Sequence, residues 1–209
     1  TCIDLDEAKV RDINAGRSPI YEAGLDALLA GQLAAGRFRA TTDLKAAVLS
    51  SEATFIAVGT PFDGQRIDLS YVRGAVEQVG AALRNKRDDH LLVVKSTVVP
   101  GTTDDVVRPL LEAASGRRVG GGSGEHLGLA MNPEFLSEGT AVADFLEPDR
   151  IVIGGYDAWS QERLAEIYAG FPCVPRLRTN NRTAEMIKYA SNSVLATLIS
   201  FANEIGNLC

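Results

Sequence analysis

Glu134 and Glu138 stand four residues apart in AMNPEFLSEG, residues 130–139, with Phe135 and Leu136 between them. They follow an apolar stretch that stops at Pro133. Such a pair has two readings. It is the solvated first turn of a helix, where carboxylates favour the positive end of the dipole, or it is a pair of carboxylates turned into a pocket. In a partly dry pocket, two neighbouring carboxylates drive their pKa values apart and leave one able to act as a base. Only the pocket reading gives a purpose to the stiff Asn132-Pro133 approach.

A second constellation lies further on. Lys188 and Asn192 are spaced i and i+4 in a helical stretch, so both face the same side. They are either an exposed lysine with an incidental asparagine or a cation and an amide donor on one face. Met186, Ile187, Tyr189 and Ala190 crowd Lys188, which suits a half-buried face. Near the start, Asp4 ends a short apolar run. It either caps a helix beginning at Glu7 or accepts hydrogen bonds from the diol of an adenosine ribose. Lys9 is a solvated helix lysine or reaches back over that ribose.

The elements that must position these groups alternate short β-rich runs with longer amphipathic stretches, the pattern of βα units around a parallel sheet. TCID reads as the tail of a strand, and DEAKVRDINAG as a helix closing at Gly16. The next helical segment is entered through Ser18-Pro19. FRATT is a short strand, DLKAAVLSS a helix capped by Asp43, and ATFIAVGTP a buried strand. DLSYVRGAVEQVGAALRN is helical, HLLVVKSTVVPG a buried strand, and TTDDVVRPLLEAASG a helix with acidic residues in its first turn. GLAMNP and DRIVIGG are strands, DAWSQERLAEIYAGF a helix, and the stretch from about Arg182 onward is one long helix. Gly120 to Gly124 follow a helix and precede a strand, the reverse of a phosphate-cradling turn, and read as a flexible connection.

Ligands of open α/β sheets bind beyond the carboxyl ends of the strands. Those ends carry Asp4, Gly59-Thr60-Pro61, Lys95-Ser96-Thr97 and Asn132-Pro133-Glu134. Polar side chains thus gather at one rim of an apolar sheet. In a doubly wound dinucleotide fold, an acidic residue follows a glycine-rich turn by about 20 residues, at the end of the second strand. Asp4 takes that place, so the sequence predicts a Rossmann-like, doubly wound, mostly parallel sheet lacking its first strand and trimmed at the front. The strands of TCID and TFIAV are each expected to lack a neighbour on one side.

Composition narrows the class. The chain has 209 residues, 45% of them hydrophobic, and a net charge of −6 without a basic cluster. That excludes a nucleic-acid partner, which needs grouped Lys and Arg. Apolar runs such as Leu91 to Val94 are far too short for a membrane span. Three widely spaced cysteines, Cys2, Cys173 and Cys209, suit reduced thiols in the cytoplasm and offer no metal-ligand spacing. We expect a soluble cytoplasmic protein with no metal.

VGTP, KSTVVPGTT, NPEFLSEG, PDRIVIG and AEMIKYASN, in this order and across essentially the whole chain, resemble the N-terminal part of the UDP-glucose/GDP-mannose dehydrogenase family. AVADFLEPDRIVIG is more similar to the UDP-glucose branch. The resemblance implies a two-step, four-electron, NAD-dependent oxidation. A primary alcohol of a nucleotide sugar becomes an aldehyde, a cysteine thiol captures it, and the resulting thioester is hydrolysed to a uronic acid. UDP-glucose is the expected substrate, and polysaccharide precursors the expected destination.

The resemblance also implies roles. Thr97, Glu134, Lys188 and Asn192 form the catalytic set: Glu134 assists the water of thioester hydrolysis, Lys188 and Asn192 steady the developing alkoxide, and Thr97 orients water or nicotinamide. Asp4, Lys9, Thr60, Thr97 and Glu138 are implied to contact NAD. Glu134, Phe135, Leu136, Glu138, Lys188 and Asn192 are implied to contact the sugar nucleotide. Residues 1–178 then form the NAD-binding domain, and residues 179–209 begin a central helical domain that packs in a homodimer or higher oligomer. The family's nucleophile lies beyond Cys209, which continues a helical face as a packing residue, so the 209 residues alone are expected to be inactive. A non-enzymatic nucleotide-sugar-binding scaffold and a simpler β-hydroxyacid-type dehydrogenase are the rival readings. The latter needs no Glu134/Glu138 pair.

Overall fold

The computed structural model describes residues 1–121, 125–171 and 173–209. The glycine run expected to be a flexible connection lies partly outside them, at 122–124.

Two sheets stand apart. The strands β1 (Cys2–Ile3) and β2 (Ala40–Thr41) pair only with each other. β3 (Ala53–Ile56), β4 (His90–Val94), β5 (Leu127–Met131), β6 (Ile151–Gly155) and β7 (Arg176–Thr179) form a five-stranded sheet in that order. β1 and β3 therefore each have a partner on one side only, as the strand order predicts. All pairings are parallel except β5 with β6, which meet antiparallel through Ala130–Gly155 and Met131–Gly154.

Burial follows residue type. β4, β5 and β6 are buried at every position, which is why they read as continuous apolar runs. Two apolar layers cover the sheet. On one face, α3 (Leu44–Leu49), α4 (Ser70–Leu83) and α5 (Arg108–Ser115) pack Val48, Val72, Val76 and Leu111 over Leu92, Val94 and Leu129. On the other, α7 (Ala158–Ile167) packs Leu164 and Ala165 over Leu91, Val93 and Ile153.

Helix ends obey local chemistry. Asp43 accepts from the Ala46 N–H at 2.9 Å and caps α3 as expected. α1 (Glu7–Asn14) ends before Gly16, which takes φ +79°. Its cap is Asp6, which accepts from Ala8 and Lys9, not Asp4. Asn14 exchanges two hydrogen bonds with the backbone of Ala40, at 2.8 and 2.9 Å, and so continues the edge of β2. α2 (Leu25–Ala34) begins after Gly24, not at Ser18-Pro19. Positive φ at Gly24, 83°, breaks the chain there.

The long helix α8 (Asn181–Leu208) is capped by Asn180, whose side chain accepts from the Thr183 N–H at 2.8 Å. Its first turns sit on the sheet, with Ala184 against Gly154 of β6; a Cβ at Gly154 would fall 2.7 Å from the Ala184 Cβ. Beyond Ser191 the helix is exposed on all sides. Two elements lie outside the sequence expectations: the edge strand β7 and the short helix α6 (Ala141–Leu146).

Candidate active site

The polar rim forms where the strand ends are tied together. Ser96, just past β4, donates from Oγ to Val58 O at 2.7 Å, and Thr60 donates from Oγ1 to Thr97 O at 2.8 Å. Both bonds run from beyond β3 to beyond β4, so the main chain carrying Thr97 is fixed by side chains. Thr60 and Thr97 are each half-buried.

Beyond β5 the chain runs without regular structure from Asn132 to Ser137. Asn132 is 2% exposed, and its Nδ2 donates to Val152 O at 2.9 Å. After buried Pro133 the chain turns out, and Glu134 Oε2 accepts the Leu136 N–H at 2.6 Å. Glu134 Oε1 lies 2.9 Å from Lys188 Nζ. Lys188 is 5% exposed, on the buried face of α8. The Phe135 ring stands between two cations, with Arg150 Cζ 4.2 Å and Lys188 Nζ 5.4 Å from its centroid, an arrangement that the ring's negative faces favour.

A cavity of about 230 Å³ opens beside Glu134, with Lys95, Phe135, Arg150, Tyr168 and Phe171 in its wall. Lys95 Nζ donates to Asn132 Oδ1 at 3.0 Å, and the Tyr168 hydroxyl donates to the same oxygen at 2.5 Å. Burial pulls the Lys95 ammonium down to about 8, against the attraction of Glu134, while Lys188 adds to the depression. Burial alone would push the Glu134 carboxyl up. The Leu136 N–H, Lys188 and Lys95 outweigh it and hold the group below the ordinary glutamate value. Tyr168, desolvated, is pushed up to about 12 and stays a donor.

Glu185, one turn before Lys188, fixes the helix to the rim. It is fully buried; its carboxylate accepts Gly101 N–H at 2.5 Å and Thr103 N–H at 2.7 Å. Burial raises its pKa against these bonds, and Asp104 adds to the rise. Asn181–Asp104 and Arg182–Asp105 contacts, each 2.8 Å, tie the same turn to the same loop. The KSTVVPGTT loop and the Lys188 helix are therefore one rigid unit. Sequence reading placed Lys95 on the rim without a role and missed Glu185 and Tyr168. A glutamate three residues before Lys188, on the same apolar face, was the available signal for Glu185.

Two anticipated placements are corrected. Glu134 and Glu138 do not share a helix turn or a pocket. Glu134 enters the cavity, whereas Glu138 is exposed on a turn that ends at Gly139, φ +88°. The expected carboxylate pair, with one pKa driven up, is replaced by one carboxylate held down between two ammonium groups. Cys209, expected on a packed helical face, is exposed after α8 in this chain, and Cys173 is exposed before β7. Asn192 is exposed one turn beyond Lys188, and Leu136 is 39% exposed.

A cofactor's place is tested at β1. Asp4 Oδ1 accepts the Asp6 N–H at 2.9 Å, and Lys9 Nζ lies 3.9 Å from Oδ2. Because Asp6 caps α1, Asp4 keeps acceptor capacity at the carboxyl end of β1, with 35% of its side chain exposed. That free acceptor fits the two hydroxyl donors of a ribose diol. Between this region and the site, Glu22 receives the N–H groups of Gly139 and Ala141 at 2.9 and 3.2 Å, joining the segment after α1 to the loop that carries Glu134. Among the described residues no cluster of side chains could hold a metal ion, and no helix is long and apolar enough to cross a membrane.

Comparisons with known proteins agree with this layout. The UDP-glucose 6-dehydrogenase of Haloferax volcanii is 49% identical over 99% of this chain and 48% of its own length. The GDP-mannose 6-dehydrogenase of Azotobacter vinelandii is 46% identical over 99% and 46%. A ternary complex of Pseudomonas aeruginosa GDP-mannose dehydrogenase superposes with a TM-score of 0.93 at 44% identity, covering 98% of this chain and 46% of that one. The Pyrobaculum islandicum UDP-glucose dehydrogenase gives 0.90 at 43%, with the same coverage. The chain thus spans about half the length of these relatives, and the two substrate types match it almost equally. Residues 1–172 match the NAD binding domain of the UDP-glucose/GDP-mannose dehydrogenase family and residues 182–209 its central domain. This chain belongs to the UDP-glucose/GDP-mannose dehydrogenase family.

Proposed function

We propose that the chain is the NAD-binding part of an enzyme that oxidises UDP-glucose to UDP-glucuronate, a polysaccharide precursor. The observation that carries this reading is the 2.9 Å pair of Lys188 with Glu134 at the mouth of the strand ends. A cation and an ionised carboxylate at one point serve both halves of such a reaction. In the alcohol step, the Lys188 ammonium donates to the oxygen that loses its proton. Asn192, one helical turn on, donates to the same oxygen. In the hydrolytic step, the Glu134 carboxylate takes a proton from the attacking water, and the Thr97 hydroxyl orients that water. Phe135 and Leu136 line the sugar nucleotide, with Glu138 at the rim. Asp4 and Lys9 would hold NAD at the end of β1, and Thr60 and Thr97 at the ends of β3 and β4. NAD, when bound, supplies the hydride acceptor.

None of the three cysteines lies in the cavity wall, so the 209 residues alone are inactive in this reading. Six apolar residues of α8 support a second copy as partner: Val194, Leu195, Leu198, Ile199, Phe201 and Ile205 are 45–64% exposed.

The test is NADH formation by the protein extended to its relatives' length, with UDP-glucose and with GDP-mannose. Higher kcat/KM with UDP-glucose is expected; the reverse order reassigns the substrate. Glu134→Gln should stop the reaction at the thioester, after both hydrides have left, so that a burst of NADH is followed by stalled turnover. One NADH per substrate consumed, rather than two, with unchanged turnover in Glu134→Gln, would instead favour a simpler hydroxyacid enzyme.

A further inference from the structure

The cavity wall carries a half-buried ammonium, Lys95, that the proposed chemistry does not use. Lys95 makes no ion pair among the described residues: its ammonium donates only to Asn132, at 3.0 Å to Oδ1 and 3.4 Å to the carbonyl. Amide oxygens compensate poorly for a buried ammonium. Asn132 is itself immobilised by Val152 O, by Tyr168 and by the backbone bond from its N–H to Val94 O at 2.9 Å. Lys95 is therefore clamped on a rigid support beside the Glu134 carboxylate, in the same cavity wall.

The other charged groups around that cavity are occupied or turned outward. Asp144 accepts from Ser137 N–H and Thr140 Oγ1, Arg150 stacks on Phe135, and Glu147 and Asp149 are exposed. Lys188 from α8 and Lys95 from the end of β4 are left as the two ammonium groups for one carboxylate. When the Lys188 ammonium also serves a reacting oxygen, its attraction for Glu134 is shared with that oxygen.

We propose that Lys95 is a positioning residue for Glu134: a fixed ammonium, anchored on Asn132, that keeps the carboxylate charged when Lys188 also serves the reacting oxygen. The assignment of Lys188 and Glu134 to those roles rests on the reading above; the charge coupling between Lys95 and Glu134 does not. The depressed Lys95 pKa agrees with a half-buried ammonium that lacks a partner of its own.

The coupling is measured without substrate or cofactor, by carbon-13 NMR titration of the Glu134 carboxyl, assigned with Glu134→Gln. In Lys95→Met the Glu134 midpoint should move up, and in Lys95→Met combined with Lys188→Met it should move further than in Lys188→Met alone. A Glu134 midpoint equal to wild type in Lys95→Met would overturn the proposal, leaving Lys95 a support for Asn132 only. The reciprocal measurement needs no change at Lys95: in Glu134→Gln the Lys95 ammonium should titrate lower, and an unmoved midpoint would likewise overturn it. In the extended protein, Lys95→Met should move the acid limb of thioester hydrolysis to higher pH. Loss of the functional reading has a different signature, since Glu134→Gln would then turn over normally while the two midpoints still respond to each other.

Discussion

β4 has a lysine near each end, one buried and one half-buried, and the two are built for different ends. Near the amino end, Lys86 is 7% exposed and donates to the carbonyls of Ser51 and Val48, the latter at 3.2 Å. Beside it His90, fully buried, places Nδ1 3.1 Å from Ser51 O and Nε2 2.9 Å from Thr54 Oγ1. This cluster ties the loop after α3 to the start of the sheet. Near the carboxyl end, Lys95 has the same kind of amide partners but faces a cavity that contains a carboxylate. Burial depresses both lysines, so the depression alone does not separate them. What separates them is the anion each one faces: Lys95 shares its cavity with Glu134, which is paired to Lys188, whereas Lys86 borders a wider opening whose acids Glu52 and Asp88 are exposed.

That contrast can be broken by substitution. The largest effect is expected at the carboxyl end, from Lys188→Met. It should lower kcat of the extended protein by roughly 100- to 1,000-fold, as losing a donor to a developing oxyanion does, with little change in unfolding midpoint. Next comes Glu185→Ala, which strands two buried N–H groups. It should cost about 3 kcal/mol of stability by urea unfolding, because it cuts the unit joining the rim to α8. Lys86→Met should cost about 2 kcal/mol through its unpaired carbonyls and leave the Glu134 titration unchanged. Any shift of Glu134 there would erase the distinction between the two ends.

The smallest effect is a pH slope. Burial, then Lys86, hold His90 down to about 4 from 6.5. Its folded form thus prefers the neutral ring. That contribution is complete above about pH 6.5 and is lost as pH falls towards 4. His90→Gln should flatten the fall in stability across that window, read from unfolding curves at each pH.

Legibility in the sequence follows the same divide between pattern and field. Continuous apolar runs announced β4, β5 and β6, and a single aspartate announced the start of α3, since both signals are local. β7 was illegible because RLRT puts two arginines on an edge strand, where backbone pairing with β6 sets the structure and side chains face solvent. The antiparallel turn of β6 depends on where α6 and its loop deposit the chain, which no periodicity encodes. At the site, the polar rim and the Lys188 face were visible as spacing. Glu134 was separable from Glu138 only in three dimensions, because the non-helical run from Asn132 to Ser137 abolishes the i, i+4 relation. Glu185 was hidden, and Lys95 stood on the rim without a role, for another reason: charged letters read as surface until a partner is seen.

Gly154 gives the molecule its aim. The missing methyl there is the shim on which Ala184 rests, and α8 projects from that pivot like a boom. At about 1.5 Å per residue, Leu208 lies about 36 Å from Ala184, so each degree of misalignment at the pivot displaces the tip by about 0.6 Å. One strand glycine thereby registers two distant things at once: the ammonium of Lys188 a single turn away, and the heading on which the bare apolar half of the helix leaves the sheet.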